Sequence, residues 1–123
     1  MTHVVDWSEL TGVTTLFSVS SDKAANPTNI MGASKRVMEA IGFCGARDSF
    51  RTARFANVAF SDGSLPKSFL DRIARNQPIF APSNVRRYFI THREEAMVCL
   101  VSAFCGIPNT IAVPKVSEEL RPT

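Results

Sequence analysis

The sequence has no glycine-rich loop of the kind that cradles a dinucleotide. Its six glycines never fall in a G-x-G-x-x-G spacing after a candidate strand. No candidate βαβ unit carries an acidic residue placed to contact a ribose. These absences exclude a complete dinucleotide-binding half within the 123 residues.

Cysteine is scarce, and its placement is not that of a cross-linked or metal-binding protein. The three cysteines, Cys44, Cys99 and Cys105, are odd in number, and none belongs to a C-x-x-C pair or stands beside a histidine. A disulfide framework and a zinc site are therefore excluded, and no residue is assigned to a metal. We expect buried free thiols, which are typical of a reducing compartment.

Long apolar runs and strongly one-sided charge are missing too. No stretch approaches the roughly 20 apolar residues of a membrane span, and no signal peptide is visible, so the predicted location is the cytoplasm. The net charge is only +3, and there is no basic helix stripe to indicate nucleic-acid binding. The basic residues between Lys35 and Arg93 suit a small anionic ligand.

The composition and the pattern of apolar residues predict one α/β domain over residues 1–123. The chain is 45% hydrophobic and 20% charged, as in ordinary globular proteins. Segments rich in β-branched residues alternate with segments of helical periodicity, which favours a parallel sheet with flanking helices. The predicted strands cover residues 13–20, 51–60, 87–91 and 109–114, and the predicted helices cover residues 30–45, 65–76 and 92–104.

A polar segment, S-S-D-K-A-A-N-P-T-N, follows the first predicted strand. It places Ser21, Asp22 and Lys23 at the end of that strand, while Met31 and Lys35 lie one turn apart on the next helix. By themselves these residues could be a polar turn and a methionine beside an exposed lysine. Ligands of open parallel sheets bind beyond the carboxyl ends of strands, so the position also suits an acid/base cluster.

The segment S-S-D-K-A-A-N-P-T-N-I-M-G-A-S-K closely resembles part of the nucleotide-sugar 4,6-dehydratases, a branch of the extended short-chain dehydrogenase/reductase superfamily. The likeness continues through R-F-A-N-V, D-G-S-L and R-Y-F-I-T in the family's order, over about residues 12–115. The resemblance implies a partial Rossmann-like parallel sheet, forming the C-terminal, substrate-binding portion of that fold. It also implies NADP or NAD as cofactor, with the main binding site outside this chain.

The resemblance further implies roles for the polar residues. Met31 and Lys35 occupy the positions of the superfamily's Tyr-x-x-x-Lys, and a thioether cannot transfer a proton. Ser21 matches the superfamily serine or threonine, and Ser21 and Lys35 would contact the cofactor. Asp22 and Lys23 match the acid/base pair of the dehydratases.

Three further residues match substrate-contacting positions, and a fourth lies beside one of them. Asn57 and Ser64 would bind the nucleotide sugar, and Arg87, with Arg86 as a weaker neighbour, would bind its diphosphate. An arginine fork suits phosphate oxygens. Without the resemblance, Asn57 could equally be a turn residue and the two arginines a solvated pair.

The implied function is conversion of UDP-N-acetylglucosamine, or a similar nucleotide sugar, to a 4-keto-6-deoxy sugar in surface polysaccharide biosynthesis. Because the cofactor half is absent, we expect no turnover by the isolated chain. An open sheet edge favours a homo-oligomer, or association with a missing N-terminal part. Two alternatives stay open: a truncated module that only associates or binds nucleotide sugars, and part of a nucleotide-sugar epimerase.

Overall fold

A computed structural model of the chain describes residues 1–46, 48–81 and 88–115. The helices within these ranges are α1 (Thr2–Thr11), α2 (Ile30–Gly45), α3 (Leu65–Ala74) and α4 (His92–Cys105). The strands are β1 (Leu16–Ser21), β2 (Phe50–Phe55), β3 (Asn57–Val58), β4 (Phe89–Ile90) and β5 (Ile111–Ala112). None of the helices in these ranges is long and apolar enough to cross a membrane.

The main sheet is parallel and has the strand order β1-β2-β5. Strands β1 and β2 pair along their whole length, from Leu16 opposite Phe50 to Ser21 opposite Phe55. Strand β5 adds a short parallel ladder beside the middle of β2. The prediction of an α/β fold with a parallel sheet and flanking helices is confirmed.

Strands β3 and β4 form a separate two-stranded parallel ladder. Asn57 lies opposite Phe89, and Val58 lies opposite Ile90. The prediction of one continuous strand over residues 51–60 is therefore wrong in its second half. The chain leaves the main sheet after Phe55, because the next residues pair with β4 and Phe60 then adopts a left-handed φ of 61°.

The outer edge of β1 pairs with no other strand in the described part of the chain. The Leu16 N–H donates to the Ser49 carbonyl on the β2 side. Alternate residues of a parallel strand bond to opposite neighbours, so the backbone groups of Val19 face the outer edge. The ammonium group of Lys35 covers one of them, since Lys35 Nζ donates to the Val19 carbonyl at 2.9 Å.

The core lies between the sheet, α1 and α2. Phe50 is fully buried and packs edge-to-face on Phe43, with 5.0 Å between the ring centroids. Val5 and Ala46 complete this cluster. A Cβ at Gly42 would lie 2.3 Å from the Phe50 ring, so glycine allows α2 to cross the ring closely. This packing anchors the second half of α2 to β2.

The helix ends follow the local signals in the sequence. Asn29 begins α2, with its side-chain oxygen accepting from the Gly32 N–H at 2.8 Å. Thr91 begins α4 in a capping box with Glu94. Helix α1 ends at Gly12, which has the left-handed φ of 67° typical of a C-terminal cap.

Helix α4 packs against the sheet on one side and carries exposed apolar residues on the other. Its inner side packs against β1 and β2, where Ser102 is buried. Apolar residues at spacings of three and four form a stripe along its other side. This exposed stripe consists of Met97, Leu100, Val101 and Phe104.

The three cysteines are free, but the prediction that all of them are buried is wrong. Cys44 and Cys105 are exposed because each lies on the outer side of the last turn of its helix, in α2 and α4 respectively. Cys99 is half-buried, and burial together with the negative charge of Glu95 raises the pKa of its thiol.

Candidate functional site

Ser21, Asp22 and Lys23 lie where β1 ends and a 3₁₀ turn, Asp22–Ala24, begins. The Ser21 hydroxyl donates to Asp22 Oδ1 at 2.9 Å and accepts from the Lys23 N–H at 3.3 Å. Lys23 Nζ donates to the same carboxylate oxygen at 3.2 Å. A hydroxyl and an ammonium group therefore converge on one carboxylate at the carboxyl end of the sheet.

Asn57 reaches this cluster from β3. Lys23 Nζ donates to Asn57 Oδ1 at 3.2 Å, so the ammonium group lies between a carboxylate and a neutral amide. The Asn57 side-chain amide donates to the Tyr88 carbonyl at 3.4 Å, and its backbone N–H donates to the same oxygen at 3.2 Å. The β3–β4 ladder therefore orients the amide that faces Lys23.

Helix α2 approaches the turn closely because residue 32 is glycine. A Cβ at Gly32 would lie 2.6 Å from the Lys23 carbonyl oxygen, which is closer than real contacts allow. The close approach brings Met31 and Lys35 to the same end of β1. Met31 is half-exposed, and Lys35 is directed at the Val19 carbonyl on the outer edge of the strand.

Ser64 lies at the start of α3, where its hydroxyl accepts from the Lys67 N–H at 3.4 Å. It lines a cleft of about 160 Å³ together with Asn57 and Phe89. Two predicted substrate-contacting residues, Asn57 and Ser64, are thus brought to one cleft beside Lys23. A larger cleft of about 730 Å³ lies at the opposite end of the sheet, between Gly12 and Cys44, away from the predicted site residues.

Arg86 and Arg87 lie outside the described residues, so the contact with a diphosphate stays a prediction. The described chain resumes at Tyr88, whose carbonyl accepts from Asn57. Arg87 therefore directly precedes a residue that touches the candidate site.

A buried ion pair beneath this cluster was not predicted from the sequence. Glu39 on α2 is only 2% exposed, and its Oε1 accepts from Ser20 Oγ at 2.6 Å and from Arg54 Nε at 2.9 Å. Arg54 Nη2 donates to the other carboxylate oxygen at 2.6 Å. A signal for Glu39 existed, because Met31, Lys35 and Glu39 recur at a spacing of four, on successive turns of one helix.

The charges of this pair are set by its hydrogen bonds. Burial alone would raise the pKa of Glu39, but the hydrogen bonds from Arg54 and Ser20, with the positive charge of Arg54, outweigh burial and lower it below 4.5. The hydrogen bond to Glu39 raises the pKa of Arg54 further above its usual value. Both groups are therefore charged at neutral pH.

A family model described as polysaccharide biosynthesis protein matches residues 1–121. The chain is 35% identical over 124 residues to the probable polysaccharide biosynthesis protein EpsC of Bacillus subtilis, a match that covers 97% of this chain. It is 36% identical over 87 residues to the capsular polysaccharide biosynthesis protein CapD of Staphylococcus aureus, covering 67% of this chain. The chain spans 21% of the length of EpsC and 14% of that of CapD.

Two other similarities concern a named enzyme and a solved fold. A UDP-glucose 4-epimerase of Rickettsia bellii is 31% identical over 83 residues, which cover 63% of this chain and 24% of the epimerase. The X-ray structure of Pen from Bacillus thuringiensis superposes with a TM-score of 0.86 over 94% of this chain and 38% of that one. Its sequence is 24% identical, so this likeness shows the fold alone.

Proposed function

Because the chain belongs to the polysaccharide biosynthesis protein family, we propose that it is the catalytic and substrate-binding part of a nucleotide-sugar 4,6-dehydratase. The proposed substrate is UDP-N-acetylglucosamine or a similar nucleotide sugar, and the product is a 4-keto-6-deoxy sugar. The observation that carries the proposal is the contact of Lys23 Nζ with both Asp22 and Asn57 at the carboxyl end of β1. An amine and a carboxylate in contact are the two proton-transfer groups that this elimination needs.

Asp22 and Lys23 divide the two proton transfers between them. Lys23 Nζ would remove the proton at C5 of the sugar, for which the amine must be neutral. A bound nucleotide sugar that displaces water from the cluster, together with the positive charge of Lys35, favours the neutral amine. Asp22, with Oδ1 3.2 Å from Lys23 Nζ, would take the C4 hydroxyl proton as the hydride leaves and then donate it to the departing C6 hydroxyl.

Ser21 and Lys35 are the groups that would face the cofactor. NADP or NAD, when bound, supplies the acceptor and donor of the hydride that leaves C4 and returns to C6. Lys35 Nζ uses one of its three N–H groups on Val19 at 2.9 Å and keeps two for ribose hydroxyls, which suits this role. Ser21 would hold the C4 oxygen, because Met31 has no proton to share.

Substrate binding is assigned to the neighbouring cleft. Asn57 and Ser64, which line it together, would contact the sugar and its phosphates. Arg87 and the weaker candidate Arg86 would bind the diphosphate through their guanidinium groups.

The base can be tested without the dinucleotide. We supply a UDP-4-keto-6-deoxy sugar in D₂O, because a ketone at C4 already acidifies the C5 proton, and follow deuterium entry at C5 by NMR. The chain should accelerate this exchange at least tenfold, and Lys23→Ala should abolish the acceleration. Lys115→Ala is the matched control, since Lys115 is an exposed lysine after β5. Exchange that survives in Lys23→Ala would refute the assignment of Lys23.

A nucleotide-sugar epimerase is the second candidate, because a UDP-glucose 4-epimerase is among the similar proteins. Inversion at C4 does not require removal of the C5 proton, so an epimerase site would leave C5 unlabelled. Methionine at position 31 argues against it, since the superfamily tyrosine is absent there. Absence of C5 exchange in the unmodified chain would favour this second candidate.

A further inference from the structure

We propose that Glu39 and Arg54 are positioning residues for the candidate site. Their buried ion pair would fix the carboxyl end of β1, helix α2 and strand β2 at one relative position. This inference rests on the proposed function, because it takes Lys23 and Asn57 as working groups of the site.

The contacts of Glu39 join three elements at one carboxylate. Glu39 lies on α2, and its two oxygens receive Ser20 Oγ from β1 and two guanidinium nitrogens of Arg54 from β2. Ser20 and Arg54 are also opposite each other in the register of the two strands. Slippage of one strand by a residue would move one partner to the other face of the sheet, so the carboxylate can bind both only in this register.

The two members of the ion pair and their hydrogen-bond partner Ser20 are each close in sequence to a part of the site. Ser20 immediately precedes Ser21, Arg54 lies three residues before Asn57, and Glu39 lies one turn after Lys35. The 3.2 Å contact between Lys23 and Asn57 therefore joins the segment after β1 to the segment after β2, and Glu39 already connects these two strands.

Stability alone gives a weak reason for an ion pair at this place. Taking two charges out of water offsets much of their attraction, and well-packed apolar residues of similar size are often as stabilising as a buried ion pair. A bidentate arginine–carboxylate pair does supply fixed distances and directions that apolar side chains lack. A role in orienting the ends of β1 and β2 explains why a bidentate ion pair, and not a pair of apolar side chains, lies at this place.

The test separates orientation from stability with the double variant Glu39→Leu/Arg54→Met. It removes both charges at once, so its melting temperature should stay within a few degrees of that of the unmodified chain. The NMR signals of the Asn57 side-chain amide should shift or broaden, and kcat for C5 exchange should fall at least tenfold while KM changes less than twofold. Glu9→Gln, at an exposed position of α1, is the control and should leave all three readouts unchanged.

Glu39→Gln is the conservative variant and decides the matter if the double variant does not fold. It keeps an oxygen that can accept from Ser20 and Arg54. Its Asn57 signals and its kcat should therefore lie between those of the unmodified chain and those of the double variant. If the double variant does not fold, the Glu39→Gln chain should still show shifted Asn57 signals and a kcat below that of the unmodified chain. A double variant that folds with unchanged Asn57 signals and kcat would overturn the inference. So would a Glu39→Gln variant that loses stability while the Asn57 signals stay unchanged.

The outcomes for the two proposals remain distinct. Absence of C5 exchange in the unmodified chain would refute the proposed function, whereas the Asn57 signals would still report whether Glu39 and Arg54 orient the site. Normal exchange in the double variant would refute positioning and leave the proposed function intact.

Discussion

The two parts of the chain that meet at the candidate site differ in how they are packed. The sheet half, residues 16–58, contains Phe50, which is fully buried, and the buried carboxylate of Glu39. The helical half, residues 62–105, has no buried residue in α3 and only Ser102 buried in α4. The acid/base groups lie on the sheet half, whereas the cap at Ser64 belongs to the helical half.

This difference matches what each part is proposed to do. Proton transfer needs groups held within a few tenths of an ångström, and dense packing with a fixed register supplies that precision. Binding the outer part of a substrate tolerates adjustment, so capping hydrogen bonds are sufficient to set the start of α3. Substitutions in the two halves should therefore differ in cost.

The largest effect is expected from Phe50→Ala in the sheet half. Removing a fully buried ring and leaving a cavity should lower the free energy of unfolding by about 3–5 kcal/mol, measured by urea denaturation. Phe104→Ala in the helical half is the matched control, since Phe104 is 81% exposed and should cost little. Equal losses in the two variants would show that the halves do not differ in packing.

A smaller but substantial loss is expected from Arg54→Ala. Without Arg54, the carboxylate of Glu39 stays buried with only Ser20 as a hydrogen-bond partner. Leaving a buried charge uncompensated should cost about 3 kcal/mol at pH 7 in urea denaturation. Lys67→Ala removes the exposed ion pair with Asp62 in the helical half and should leave the free energy of unfolding unchanged in the same measurement. A similar loss in both variants would contradict the comparison.

The same ion pair predicts how stability depends on pH. The pKa of Glu39 is lowered in the folded chain, so the unfolded state binds its proton first as the pH falls below about 4.5. The contribution of Glu39 is therefore complete above that pH and is lost as the pH falls through the lower folded value. Urea denaturation between pH 3 and 7 should show a steeper acid loss in the unmodified chain than in Glu39→Gln. Parallel curves for the two proteins would refute this prediction.

The smallest effect is expected from Thr91→Ala at the start of α4. The Thr91 hydroxyl accepts from the Glu94 N–H at 3.2 Å, and loss of such a cap costs about 1 kcal/mol. Thr91→Ser keeps the hydroxyl and should recover most of the loss in the same measurement. A loss as large as that of Phe50→Ala would mean that the helical half depends on its caps as strongly as the sheet half depends on its core.

Local signals in the sequence were sufficient for much of this architecture. The periodicity after Asn29 predicted α2, and Thr91 with Glu94 and Glu95 after it is a local signal for the start of α4. Both depend on residues three or four apart, whose interactions do not require knowledge of the fold. The position of Ser21, Asp22 and Lys23 at a strand end could be predicted because a run of β-branched and apolar residues directly precedes them.

Contacts between distant segments could not be predicted in this way. Asn57 meets Lys23 because the chain leaves the main sheet after Phe55 and pairs with β4, more than thirty residues further on. Glu39 resembled an ordinary polar position of a helix, because its partners Ser20 and Arg54 lie on two strands whose register is set only in the folded sheet. The roles of the site residues came from the resemblance to dehydratases and stay predictions.

The outer edge of β1 has a consequence for assembly. Val19 presents its backbone groups there, and Ser21 lies at the carboxyl end of the same strand. A parallel strand that joined this edge in full register would itself end beside Ser21, and the loop after it would lie next to Lys23. Pairing at this edge would then lengthen the sheet and bring a second loop to the candidate site in a single event.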